Sequence, residues 1–311
     1  MKAVFLDAAT LGNDVDLAPV ERVTGSLVKY EATPAGQIAE RIRGFDTVLV
    51  NKVVLTREHF EQCPELKTIA VVATGLNNID QQAAKDHGIQ VLNVTNYGRS
   101  TVAQHTMALM LALATRLLDY DRDVRAGRWA ESDMFCLMNH PIMELEGRTL
   151  GIVGYGDLGQ GVAKRAKAFG MNILLGARPG QAAGEVDGHP RIPLDELLPQ
   201  VDVLSLHCLL TDETRNLIGA RELQMMKPDA LLINTSRGGL VNETALAEAL
   251  RTGVIAGAGF DVLTEEPPRN GNPLLAGDIP NLIITPHSAW ASREARQRIV
   301  EITARNLITV K

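Results

Sequence analysis

The segment TLGIVGYGDLGQGVAKRAKAFG, Thr149 to Gly170, constrains the fold more than any other. An apolar run ends in a G-x-G-x-x-G turn (Gly154, Gly156, Gly159), and a helical pattern follows it. Each glycine has a use in a strand–turn–helix unit. The first permits the tight turn, the second lets the backbone approach a pyrophosphate, and the third lets the helix pack close to the strand. The helix start adds free amides and the positive end of a dipole. Glycine turns also occur for purely structural reasons, but the strand before this one and the helix after it point to dinucleotide binding.

The chain around this unit keeps the same style. Apolar runs at 3–7, 47–51, 68–74 and 89–94 read as buried strands, with helical stretches such as 34–43 and 56–62 between them. After the glycine turn, further strands are expected at 172–177, 201–208, 230–236, 256–262 and 282–287. Strand–helix alternation of this kind predicts parallel sheets with helices on their faces. The longest helical pattern, 101–129, is apolar nearly all round in its first half and charged in its second. A helix that starts buried and ends wet often joins two domains, so a boundary is placed near Tyr97-Gly98. The expectation is an α/β protein of two Rossmann-like domains with parallel sheets and its active site in the cleft between them.

Composition removes several classes. A net charge of −6, with no Lys/Arg run, argues against a nucleic-acid partner. No apolar stretch is long enough to span a membrane. Cys63, Cys136 and Cys208 are far apart and odd in number, which fits neither a disulfide framework nor a zinc site. No metal is expected. A reducing cytoplasm is the plain reading, and MKAVFLDAATLG reads as a first strand and turn rather than a signal peptide.

Eighteen residues after Gly159, where an acid usually accepts hydrogen bonds from the adenosine ribose, stand Ala177 and Arg178. An acid there would repel a 2′-phosphate, whereas a guanidinium can pair with one. The sequence therefore leans to NADP(H), with NAD(H) possible if Arg178 is only a solvated loop residue.

Three more residues follow predicted strands, where open α/β sheets bind ligands: Arg237, Glu266 and His287. Singly each has a bland reading, as a turn cap, a surface acid and a turn histidine. Together they suit reduction of a 2-keto acid. Arg237 would hold the carboxylate and polarise the carbonyl. His287 would protonate the carbonyl oxygen as hydride arrives, and Glu266 would orient the ring and favour its charged form.

The segments GIVGYGDLG, LLINTSRGGLVNETAL, GAGFDVLTEEPP and LIITPHSAWAS resemble the D-isomer-specific 2-hydroxyacid dehydrogenases, as do ATGLNNID (73–80) and NYGRSTVAQHTMALML (96–111). NHPIMELEGRTLGIVGYGDLGQ and HSAWASREARQR look most like the glycerate dehydrogenase, or hydroxypyruvate reductase, branch. The resemblance implies that Arg237, Glu266 and His287 are the catalytic set and that Thr74 and Gly75 hold the substrate carboxylate through their amides. It places Thr101, Asp157, Leu158, Cys208, Thr235, Asp261 and His287 at the cofactor, beside the three glycines, Ala177 and Arg178. It implies a discontinuous substrate domain, 1–98 plus 289–311, around a dinucleotide-binding domain, 99–288, with hinges near Tyr97-Gly98 and Ser288-Ala289. It also implies a homodimer in which residues 128–147 form an arm over the partner, with Phe135 either reaching the neighbouring active site or only packing in the interface. Gln104 departs from the glutamate of many relatives, at a helix start where little should change. The implied reaction is reduction of hydroxypyruvate to D-glycerate and glyoxylate to glycolate. A D-lactate or phosphoglycerate dehydrogenase, or a nucleotide-sensing binding protein like the C-terminal-binding-protein corepressors, are the alternatives.

Overall fold

The computed structural model describes residues 1–310, so Lys311, the last residue of the expected 289–311 segment, lies outside the described residues. The chain divides into two compact units, Met1–Gly98 with the chain from Ala291 onward, and Arg99–Trp290.

The first unit carries β1 (Lys2–Phe5), β2 (Ser26–Lys29), β3 (Thr47–Val50), β4 (Thr68–Val71) and β5 (Gln90–Leu92). Helices α1 (Ala18–Thr24), α2 (Ile38–Ile42), α3 (Arg57–Gln62) and α4 (Gln81–Asp86) connect them. All pairings are parallel, in the order β2-β1-β3-β4-β5. Every residue of β3 and β4 is buried, which follows from helices covering both faces of the sheet. The C-terminal helix, Arg293–Ile308, begins where the Ser292 hydroxyl accepts from the Ala295 amide at 3.2 Å. Its buried stripe (Ala295, Ile299, Val300, Thr303, Ala304, Leu307) packs on α1 and β4.

The second unit opens with α5 (Arg99–Ala114) and α6 (Leu117–Arg125). Then come β6 (Thr149–Val153), α7 (Asp157–Ala168), β7 (Asn172–Ala177), β8 (Gly184–Val186), β9 (His189–Pro193), α8 (Leu194–Leu197), β10 (Val203–Leu206), α9 (Ala220–Met225), β11 (Leu231–Asn234), α10 (Glu243–Arg251), β12 (Gly257–Phe260) and β13 (Leu282–Ile284). The sheet order is β13-β12-β11-β10-β6-β7-β9-β8. The chain leaves β6 for β7 on one side and later returns to β10 on the other. That reversal creates a crevice at the C-terminal ends of the strands, where such sheets bind ligands. Two apolar clusters, one around Leu232 and Phe260 and one around Ile152 and Met110, make the core.

Two expectations change. The sheet is not wholly parallel, because β8 and β9 form an antiparallel hairpin on its edge. Asp187 (φ 51°) and Gly188 (φ 74°) supply the left-handed pair that a two-residue hairpin turn requires. The 101–129 pattern is also not one helix. Arg116 takes φ 54° between α5 and α6, and the Ala114 carbonyl, which a continuing helix would use, accepts instead from the Met143 amide at 2.8 Å.

Segment 126–147 returns along α6 with an unusual surface. Phe135 is 91% exposed and Met138 79%, with Trp129, Met134 and Ile142 also exposed. A buried carboxylate gives this stretch its shape. Asp123 accepts from Asn139 Nδ2 (2.6 Å) and Arg128 (2.5 Å), and lies 2.9 Å from His140 Nε2. Among the described residues, no helix is long and apolar enough to cross a membrane.

Candidate active site

The glycine turn separates into the three jobs its sequence suggests. Gly154 sits at φ 99°, and a Cβ there would fall on the His207–Cys208 backbone. A Cβ on Gly159 would strike the Gly154 carbonyl, so this glycine seats α7 on the strand. Gly156, at the α7 N-cap, has open space where a Cβ would be, as close approach of a pyrophosphate demands. The residues present therefore fit a dinucleotide. Asp157 adds an acid to the first turn of α7; Arg99 Nε stands 3.4 Å from one of its oxygens, and the other oxygen is buried without a hydrogen-bond partner among the described residues. Leu158 follows it, half-buried.

Ala177 ends β7 and is buried, while Arg178 is exposed and forms no ion pair among the described residues. The Arg178 amide donates to Gln181 Oε1 at 3.4 Å, and the Gln181 amide donates back to the Arg178 carbonyl at 3.0 Å, closing a turn. Across the crevice, burial pushes the Cys208 thiol up, with the Arg178 charge opposing. Arg178 follows β7 and Cys208 follows β10, so both stand at the C-terminal end of the sheet.

Arg237, Glu266 and His287 follow β11, β12 and β13. Their approach depends on Gly238, since a Cβ there would coincide with the Leu263–Thr264 backbone that leads to Glu266. Arg237 is exposed, with one terminal nitrogen on the Ser236 carbonyl at 2.7 Å. Glu266 accepts from the Leu263 amide at 2.8 Å through Oε1 and from His287 Nδ1 at 2.6 Å through Oε2. Burial works against the charge on Glu266. The hydrogen bonds from His287 and Leu263, with the charges of His287 and Arg237, outweigh it and hold the carboxyl below the usual range. A carboxylate can only accept, so Nδ1 carries the hydrogen and Nε2 is the nitrogen that gains or loses a proton. Nε2 makes no hydrogen bond to the described residues.

His287 lies in a left-handed conformation, φ 52°, which a histidine rarely adopts without support. Asp261, only 1% exposed, supplies it. Its oxygens accept from the amides of Ser288 (2.9 Å) and Ala289 (2.8 Å), and its carbonyl accepts from the His287 amide (2.8 Å). Thr101, in α5, donates its hydroxyl to the Ala289 carbonyl at 3.1 Å. Thr235, buried, lies 3.1 Å from the Thr106 hydroxyl. Thr74 and Gly75 belong to the first unit. The Thr74 hydroxyl donates to the Val94 carbonyl at 2.8 Å, and neither residue's amide has a partner among the described residues. The sequence reading missed Thr285, His105 and Gln181, whose only signal was proximity to residues already singled out.

The family model described as "D-isomer specific 2-hydroxyacid dehydrogenase, NAD binding domain" matches residues 107–289, more than half of the chain. The chain belongs to the D-isomer-specific 2-hydroxyacid dehydrogenases. It is an oxidoreductase of that family and uses a nicotinamide cofactor. This dehydrogenase is 46% identical over 304 residues to the glycerate dehydrogenase of Methylorubrum extorquens, covering 96% of this chain and 93% of the relative. It is 38% identical over 311 residues to the hydroxypyruvate reductase of Blautia hydrogenotrophica, covering 99% and 96%. Among solved structures it is similar to an acyclic imino acid reductase in complex with NADPH and D-Arg, with a TM-score of 0.83 and 29% identity over 96% of this chain and 94% of that one. The two Rossmann-like units are thus the family's fold.

Proposed function

We propose that the protein reduces small 2-keto acids to D-2-hydroxy acids, hydroxypyruvate to D-glycerate first and glyoxylate to glycolate second, with NADPH preferred over NADH. The observation that carries this reading is the 2.6 Å bond between His287 Nδ1 and Glu266, beside the exposed Arg237 and at the strand ends of a dinucleotide fold. The names of the curated relatives support the substrates. When bound, the nicotinamide supplies the hydride that goes to C2 of the keto acid. Arg237 holds the carboxylate and draws charge towards the carbonyl oxygen, and the same reading gives the amides of Thr74 and Gly75 a share of the carboxylate. His287 Nε2 releases its proton to that oxygen, so the product leaves as an alcohol and the ring is left neutral. Glu266 stabilises the charged ring beforehand and keeps it oriented. Initial rates with hydroxypyruvate, glyoxylate, pyruvate and phosphohydroxypyruvate test the substrate. The expected order places hydroxypyruvate first in kcat/KM, and a preference for pyruvate or phosphohydroxypyruvate would reassign the enzyme to the D-lactate or phosphoglycerate type.

Glu266 also sets a pH dependence. Its depressed carboxyl keeps the ion pair intact as pH falls through the usual glutamate range. Activity is expected to fall only where Glu266 itself takes up a proton, below the usual glutamate range, and Glu266→Gln, which has no carboxylate to protonate, is expected to lose that acid limb of the kcat/KM profile and to run lower throughout. Superimposable profiles would deny Glu266 this role.

For the cofactor, the exposed Arg178 guanidinium, which has no ion pair among the described residues, supports a 2′-phosphate partner beside the small Ala177. Arg178→Ala is expected to raise KM for NADPH about ten- to a hundredfold and leave KM for NADH nearly unchanged, a charge-assisted hydrogen bond being worth about 1.5–3 kcal/mol. Equal effects on the two cofactors would make Arg178 a surface residue.

The same reading makes the protein a cytoplasmic homodimer with no nucleic-acid partner, its arm at 128–147 covered by the second copy. The exposure of Phe135, Met138 and Ile142 supports this, since a lone chain rarely presents so many large apolar side chains on one short stretch.

A further inference from the structure

The carboxylate that supports the His287 turn is itself held by a chain of hydrogen bonds from α5. Thr285 Oγ1 lies 2.5 Å from Asp261 Oδ1, and His105 Nε2 lies 2.8 Å from the same Thr285 oxygen. The direction of these bonds follows from the groups. A carboxylate oxygen accepts only, so the single hydroxyl proton of Thr285 goes to Asp261 and the hydroxyl turns a lone pair to His105. His105 must therefore carry a hydrogen on Nε2. The order is His105 N–H to Thr285 O–H to Asp261, and each donor polarises the next.

This chain ends where precision is needed. Asp261 Oδ1 takes the Thr285 hydroxyl and the Ser288 amide together, and Oδ2 takes the Ala289 amide. Those amides follow His287, whose φ of 52° has to be imposed by its surroundings. His105 stands one turn after Thr101, so both side chains point from one stripe of α5. Thr101 grips the Ala289 carbonyl and His105 grips Thr285, so α5 clamps the 285–289 turn on both sides of His287.

We propose that His105 is a positioning residue of this enzyme: its Nε2–H, acting through the Thr285 hydroxyl, fixes the Asp261 carboxylate that holds His287 in its turn. This rests on the proton-donor role given to His287 above. A side chain that merely filled space would serve as well without its donor, and a glutamine, which keeps an N–H of similar reach, separates the two roles.

The test uses the full-length enzyme and three variants, His105→Leu, His105→Gln and Thr285→Val, with the double variant His105→Leu/Thr285→Val. His105→Leu is expected to lower kcat for hydroxypyruvate about tenfold, the worth of one lost hydrogen bond, with KM for NADPH changed less than about twofold. His105→Gln should recover most of the rate. The double variant should be no slower than Thr285→Val, because both changes break one chain. An unchanged kcat in His105→Leu, a glutamine variant as slow as the leucine one, or effects that multiply in the double variant would each overturn the proposal. A measurement independent of turnover is the tautomer of His105 in 15N-histidine-labelled protein. The Nε2–H form is expected at neutral pH, and an Nδ1–H form would overturn the relay even if folding or activity failed in the variants. The underlying reading is tested separately by the turnover of the unaltered enzyme and of His287→Gln.

Discussion

His287→Gln is expected to lower kcat for hydroxypyruvate reduction by about a thousandfold, within the range for removing a positioned general acid. The glutamine amide has similar size, and its neighbours Ser288 and Ala289 remain tied to Asp261. KM for NADPH should therefore stay within about twofold, because the change removes an interaction made in the transition state. The Nδ1 bond to Glu266 at 2.6 Å makes Nε2 the proton carrier, and an amide nitrogen cannot take its place. A fall of only a few-fold would mean that water supplies the proton and that the His287–Glu266 pair is structural.

Arg237→Ala is the second large effect. Loss of about a hundredfold to a thousandfold in kcat/KM is expected, comparable to removing a preorganised donor aimed at developing charge. Because the Arg237 side chain is exposed and, among the described residues, its only hydrogen bond goes to the neighbouring Ser236 carbonyl, its loss should leave stability nearly unchanged. NADPH should still bind, as titration of its fluorescence would report. Arg237→Lys should recover only part of the rate, because an ammonium lacks the planar fork that matches a carboxylate. An alanine variant that kept its kcat/KM would remove Arg237 from the reaction.

What could be read in the chain divides along physical lines. Buried strands such as β3, β4, β10 and β11 are short runs of apolar residues covered on both faces, and such runs declare themselves. The edge strand β2, SLVK, is mostly exposed, so no apolar run or alternation marks it. The β8–β9 hairpin did carry a signal, the Asp187-Gly188 pair, which suits a two-residue turn. The break between α5 and α6 carried none. Arg116 is an ordinary helix former, and its left-handed geometry depends on a distant segment taking the Ala114 carbonyl.

The candidate site divides in the same way. The glycines, Arg178, Arg237, Glu266 and His287 stand at strand ends, so locating the strands locates them. The support around His287 joins three separated segments through His105, Asp261 and Thr285. No spacing rule connects a mid-helix histidine to a threonine 180 residues away, and only the folded chain brings them together.

Transfer of hydride and proton to hydroxypyruvate is tested most directly by following NADPH oxidation by the purified protein with hydroxypyruvate and determining the configuration of the glycerate formed. Rapid turnover giving D-glycerate is the expected result. No hydroxypyruvate-dependent oxidation of NADPH or NADH, or formation of L-glycerate, would contradict it.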